Sequence, residues 1–301
     1  MANSISYASK FSPEIDKIIT QKAVTGFFAD SALKAQFVGA NTVKVPKIST
    51  VGLGTYSRTG GYPKGATTLT HDTLTLSMER GRQLFIDAQD VDESGVPGLV
   101  GQLVGEYTRN EVVPEVDAYV LSKLYSVANE KSHITTYDSS KALNQLITAI
   151  GNADDATGFS GTELVAFVSP ALYSAIQTDA NLSRQIIVSD FKQGEANIKV
   201  KSLNGCVLVP VTSSRMKSAY TFDAGATDTA GGFKAASGAK DIHALVVPKD
   251  ACQLVKKVDK VDVLNPSDVE DFDAYKINYR LYYDAFVMEN KKGTIFGIAT
   301  A

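Results

Sequence analysis

The residues best placed to do chemistry in this 301-residue sequence sit among glycines. Gly60-Gly61-Tyr62-Pro63-Lys64-Gly65 sets a lysine in a glycine-rich run, the composition with which backbone N–H groups cradle phosphate. A phosphate loop needs Gly-Lys-Ser/Thr opening a helix, whereas Pro63 and the threonines that follow favour extended chain. Gly52-x-Gly54 lacks the third glycine and the following helix of a dinucleotide fingerprint, and no Gly-x-Ser-x-Gly elbow occurs. His71, His133 and His243 lie far apart, without the neighbours of a metal ligand or general base, and read as surface or satisfied histidines. Two acidic groups, Asp87 to Glu93 and Asp268, Glu270, Asp271 and Asp273, lack the ligand register and terminal glutamate of a calcium loop and read as solvated. Cys206 and Cys252 have neither zinc-site spacing nor the number for a disulfide framework, and read as small buried thiols. Arg80-Gly81-Arg82 reads as ion-pairing charge at an interface. The expectation is a protein that is no enzyme, with no cofactor and no metal.

Composition agrees with an ordinary folded chain. Thirty basic against 33 acidic residues give a net charge of −3, and hydrophobic residues make up 44%. These values exclude global disorder and a polycationic nucleic-acid binder. No apolar run approaches the roughly 18 residues of a spanning helix. The opening residues lack a basic start followed by an apolar core, so the expectation is a chain folded in a cytoplasm without a membrane anchor.

The elements that would position these residues follow from periodicity. Residues 1–40 read as an arm: Ser12-Pro13-Glu14 starts a short helix carrying Ile15, Ile18 and Ile19, and a second apolar piece runs from Ala32 to Phe37. Thr42 to Pro46 is a strand whose proline makes it an edge or an ending. Residues 49–68 hold five glycines and almost no large apolar residue, so they cannot build a core. Residues 73–79 alternate, with Leu74, Leu76 and Met78 inward, and the two strands frame an extended hairpin. Residues 97–128 form the longest helical pattern, with Leu99, Leu103, Tyr107, Val113, Val116, Val120, Leu124 and Val127 on one side. That is about 45 Å of helix at 1.5 Å per residue, and Pro114 should kink or divide it. Beyond residue 138 helices and strands alternate: a helix from Ser139 closed by Gly151, strands at Leu164–Val168, Cys206–Pro210 and Ala244–Val247, a helix opened by Ser169-Pro170, and a loop over 224–239. Tyr275, Ile277, Tyr279, Leu281 and Tyr283 alternate in a strand expected to return through Glu289–Gly293 as a hairpin with Thr294–Ile298.

This order of elements resembles the Hong Kong 97-type major capsid proteins of tailed bacteriophages. The most specific stretch is Glu106-Tyr107-Thr108-Arg109-Asn110-Glu111-Val112-Val113-Pro114-Glu115-Val116-Asp117-Ala118-Tyr119 followed by Lys123-Leu124, similar to the spine-helix signature of many phage coat proteins. The closing Tyr282-Tyr283-Asp284-Ala285-Phe286-Val287 and Lys291-Lys292-Gly293-Ile295 pattern is similar too. The resemblance implies an α+β fold with an N-terminal arm (1–48), an E-loop (49–80), a peripheral domain with the spine helix (81–137 and 266–301) and an α/β axial domain (138–265). It also implies a virion protein, assembled in a host bacterial cytoplasm as pentamers and hexamers into an icosahedral head around double-stranded DNA. The partners implied are further copies of the chain, a portal and DNA held by enclosure. A separate scaffolding protein is expected because the chain opens directly into the arm. Candidate inter-subunit contacts are Tyr56, Arg58, Tyr62, Lys64, Arg80, Arg82, Arg109, Tyr279 and Tyr283. Lys64 and Asn290 are conceivable crosslinking partners, with no catalytic glutamate assigned. The rival readings are an encapsulin-type nanocompartment shell and a soluble α/β enzyme.

Overall fold

The computed structural model describes residues 23–30, 36–37, 42–94, 99–158, 163–178, 186–193, 196–227, 230–269 and 273–301. The expected helix at Ser12, Pro97 at the start of the long helix, and Glu270 and Asp271 lie outside them. The chain divides into two units, Ala32–Met78 and the remainder.

The smaller unit is a hairpin. Strand β2 (Thr42–Thr50) pairs antiparallel with β3 (Thr67–Thr75) from Thr42↔Thr75 to Thr50↔Thr67. Threonines and valines supply the branched side chains that favour extended chain. The two-residue β1 (Gln36–Phe37) pairs with β2 at Lys44 and Val43, and among the described residues β2 has no second neighbour at Pro46. The strand expected at 73–79 is displaced: β3 begins at Thr67 and stops at Thr75, and Leu76-Ser77 separates it from β4 (Met78–Asp87).

In the larger unit β4 leads into α1 (Ala88–Ser94) and then the spine, which is α2 (Leu99–Tyr107), a π turn at Thr108–Val112 and α3 (Val113–Glu130). Pro114 divides the helix as expected, by a wide turn just ahead of it. The Val113 N–H reaches back five residues to the Thr108 carbonyl, and the Thr108 hydroxyl donates to the Val104 carbonyl at 2.8 Å.

A seven-stranded sheet carries the core. Its order is β5 (Ile134–Thr136), β15 (Phe296–Ala299), β12 (Ile242–Pro248), β6 (Leu164–Val168), β9 (Cys206–Pro210), β8 (Ala196–Leu203) and β7 (Ile186–Gln193). Leu164, Ala166, Val168, Ala244, Val246 and Ile298 pack with α4 (Ala142–Thr157) and α5 (Pro170–Thr178) through Leu143, Leu146, Ile150, Leu172 and Ile176. Because side chains alternate along a strand, Phe167 points to the opposite face, where its ring lies 5.9 Å from Phe27 and 6.1 Å from Phe28. Gly297 lets this sheet close: a Cβ there would stand 2.7 Å from Ile134 Cδ1. A second sheet has the order β13 (Cys252–Leu264), β14 (Ala274–Val287), β4.

Three further expectations are corrected. Helix α4 runs past Gly151 to Thr157 and ends at Gly158, whose φ of 68° suits the left-handed cap. The final strand does not fold back on β14, because a 3-10 turn at Glu289–Thr294 carries β15 into the seven-stranded sheet, while β14 pairs with β13 from Cys252↔Val287 to Leu264↔Lys276. Within 224–239, Phe233–Ala235 is β11, paired with β10 (Tyr220–Phe222).

Candidate assembly interface

The signature stretch of the spine is a row of anchoring residues. Asp117 is wholly buried and accepts the Val24 N–H at 3.1 Å, the Thr25 N–H at 3.0 Å, the Thr25 hydroxyl at 2.7 Å and Arg215 Nη1 at 3.0 Å. Burial raises its carboxyl above the ordinary aspartate range, opposed by the Thr25 and Val24 donors and Arg215. This one side chain fastens residues 23–30 to the spine. Two residues earlier, Glu115 takes Arg80 of β4 in a two-pronged pair, Nε to Oε1 at 2.6 Å and Nη2 to Oε2 at 3.2 Å. Two residues later, the Tyr119 hydroxyl donates to Asp284 Oδ1 of β14 at 2.8 Å. One turn on, Lys123 pairs with the same buried carboxylate and lies 5.2 Å from the Phe286 ring centre. The spine thus holds the arm, β4 and β14 through consecutive turns. An acid on the apolar stripe of a helix, between Val116 and Val120, was the signal for Asp117 that periodicity alone passed over.

The nine candidate contact residues fall into three groups. Tyr56, Arg58, Tyr62 and Lys64 are exposed on residues 51–66, where the ordering contacts include a Ser57↔Gly61 bridge, a Gly60 N–H bond to Ser57 Oγ at 3.0 Å and a 5.0 Å Tyr56–Tyr62 ring contact. Val51, Leu53 and Leu69 of the same hairpin are exposed as well. Among the described residues neither Arg58 nor Lys64 forms an ion pair. Arg80, Arg82 and Arg109 are engaged within the chain. Arg80 Nη1 donates to the Asp223 carbonyl at 2.7 Å, Arg82 Nη1 to the Ala230 carbonyl at 2.7 Å, and Arg109 pairs with Glu106. Tyr279 and Tyr283 are buried inside the chain, and burial raises both phenols. Tyr283 packs edge-on against Tyr119, and its hydroxyl has no hydrogen-bond partner among the described residues. The structure therefore brings together the hairpin four as open surface and Arg80, Arg82, Tyr279 and Tyr283 as framework within the chain, while Arg109 stays exposed beside Glu106.

Several of the groups that could do chemistry are engaged within the chain. Ser169 Oγ lies 3.3 Å from His243 Nδ1, a pairing hidden by a sequence separation of 74, but Ser169 is buried and accepts the Leu172 N–H at the start of α5. His243 stacks on Tyr137 at 3.8 Å, and burial lowers its pKa. His133 stacks on Phe296 at 4.2 Å. Both cysteines are buried, as expected from the sequence, and burial pushes each thiol up to about 12. Among the described residues no group of three or more His, Cys, Asp or Glu could hold a metal ion, and no helix is long and apolar enough to cross a membrane.

No family model matches the chain, and no curated protein matches it. Solved structures do. A capsid structure of the cyanophage P-SCSP1u covers 89% of this chain and 85% of its own at 12% identity, with a TM-score of 0.60. The mature capsid of bacteriophage PhiM1 covers 91% and 86% at 14% identity, TM-score 0.57. A virus-like particle from Pyrococcus furiosus covers 98% and 99% at 9% identity, TM-score 0.50. At such identities the likeness concerns the path of the chain, and over that path the spine, the two sheets and the hairpin make this an α+β chain with the HK97-type capsid fold.

Proposed function

We propose that the chain is the major capsid protein of a tailed bacteriophage, assembling as pentamers and hexamers into an icosahedral head that encloses double-stranded DNA. The observation that carries this reading is the hairpin: Val51, Leu53, Tyr56, Tyr62 and Leu69 are exposed in a chain whose fold recurs in shells. Exposed apolar surface of this kind marks a place where another molecule sits. A contact between different faces of identical chains closes into rings, which suits a shell. In this reading residues 1–48 are the arm, 49–80 the E-loop, 81–137 and 266–301 the peripheral domain and 138–265 the axial domain. The role is structural, not catalytic, and the protein resides in the virion after assembly in the host cytoplasm. The partners are further copies, a portal and a scaffolding protein, with DNA held by enclosure, as the net charge of −3 suits.

The likeness to a virus-like particle over 98% of the chain favours a second reading, a nanocompartment shell with protein cargo. Expression followed by sizing and negative-stain imaging tests the first claim: rings or closed particles are expected, and a lasting 32.1 kDa monomer refutes it. Nucleic acid recovered from particles made alongside the neighbouring genes separates the phage head from the nanocompartment. Leu53→Ser with Tyr62→Ser should abolish particles while leaving the subunit's unfolding midpoint unchanged.

A further inference from the structure

We infer that the hairpin tip of one copy docks on an acidic face of the next copy, formed by Phe85, Asp87, Asp90, Asp92 and Glu93. The inference rests on the shell reading above and names the receiving surface. Two stretches of the chain carry unmixed and opposite charge. From Ile48 to His71 there is no Asp or Glu, while Arg58 and Lys64 are exposed on residues 51–66. From Gln83 to Thr108 there is no Lys or Arg, while Asp87, Asp90, Asp92 and Glu93 are exposed at the end of β4 and on α1.

Neither set is neutralised among the described residues. Asp87 Oδ1 accepts the Gln89 N–H at 2.8 Å and Glu93 Oε1 the Gln89 side-chain amide at 3.2 Å, both neutral donors. Asp273 adds charge of the same sign, its carbonyl accepting the Ala88 N–H at 3.0 Å. Lys276 Nζ stands 5.7 Å from the Phe85 ring centre and offsets part of that charge. Several other carboxylates do meet cations of the same chain: Glu79 with Arg280, Glu115 with Arg80, Asp117 with Arg215, Glu163 with Lys249, Asp241 with Lys217, Asp284 with Lys123. The two faces also match in their apolar part. Phe85 is 49% exposed, and the tip offers Leu53, Tyr56 and Tyr62. An aromatic centre with a charged rim is the usual make-up of a specific contact, and opposite unpaired charges fix its register and its partner.

The test reverses each face separately. Arg58→Glu with Lys64→Glu, and Asp90→Lys with Asp92→Lys and Glu93→Lys, should each lower the assembled fraction about tenfold near 0.1 M salt. Mass photometry reads that fraction, and an unchanged unfolding midpoint shows that the subunits are intact. Mixed in equal amounts, the two variants should assemble into even-numbered rings, because each reversed tip meets the other's reversed face. Either variant assembling as the wild type does would overturn the docking face and leave the shell reading standing. Rescue only when both sets share one chain, and not on mixing, would overturn it too, by making the contact internal. A wild type that never assembles removes the shell reading itself.

Discussion

Asp117→Ala should cost the subunit about 4 kcal/mol, counted from the donors it would orphan. The carboxylate is wholly buried and meets two backbone N–H groups, one hydroxyl and one guanidinium. Each buried donor left without an acceptor costs about 1–3 kcal/mol. The two Thr25 donors are buried and count in full; the Val24 N–H is part-buried and counts less. Arg215 keeps 22% of its side chain in water and is set aside, because solvent takes over its stabilisation. Asp117 itself is costly to desolvate, which is why its carboxyl is raised, so the loss arises from stranded partners more than from a favourable pair. Asp117→Leu combined with Thr25→Val should accordingly recover part of the loss. Domains hold only about 5–15 kcal/mol in total, so the alanine variant should unfold early in urea, followed by circular dichroism on unassembled subunits. A midpoint indistinguishable from wild type would refute the claim that this side chain fastens the arm to the spine.

Arg80→Ala removes the Glu115 pair and two carbonyl contacts from a partly solvated site, and should lower stability by about 2 kcal/mol, read as a fall of a few degrees in Tm. Tyr279 and Tyr283 have phenols raised by burial, so the stability they contribute is fully present below the ordinary pKa of about 10 and is lost as pH rises through the folded values. A tyrosinate titration should therefore show a late fraction that ionises together with loss of the circular-dichroism signal. Uniform ionisation near pH 10 with structure retained would contradict the burial. Cys206 and Cys252, pushed to about 12, should stay unreactive toward a thiol reagent at pH 8 until denaturant is added.

Much of the fold could be read from local pattern. Leu164–Val168 and Cys206–Pro210 are strands with the bounds the sequence reading assigned, and Pro170 opens its helix, because continuous apolar runs and a first-turn proline leave few alternatives. Strand β13 was missed for a physical reason. Its register shifts between Lys256 and Val258, a bulge at Lys257 that breaks the two-residue alternation on which recognition depends. The partner of β14 was misassigned because adjacency in sequence favoured β15, whereas β15 is buried over nearly all its length, as an interior strand of the larger sheet must be. Of the candidate contacts, the hairpin four were visible as a stretch without a core. The inward placement of Tyr279 and Tyr283 was not, because an alternating tyrosine strand looks the same whether its covered side meets its own chain or another.

Ahead of Pro114 the spine is buried at Val104, Thr108 and Val112, four apart. Beyond it the buried face widens to Val113, Val116, Asp117, Ala118, Val120, Leu121, Leu124, Tyr125 and Ala128. In an ideal helix a four-residue step turns about 40° further round the axis, and the widened turn at Thr108–Val112 slackens that winding at the junction. The spine therefore behaves like a vernier: removing a single residue there would swing everything beyond it by about 100°, taking Asp117 from Thr25 and Lys123 from Asp284 together, although no side chain had been altered.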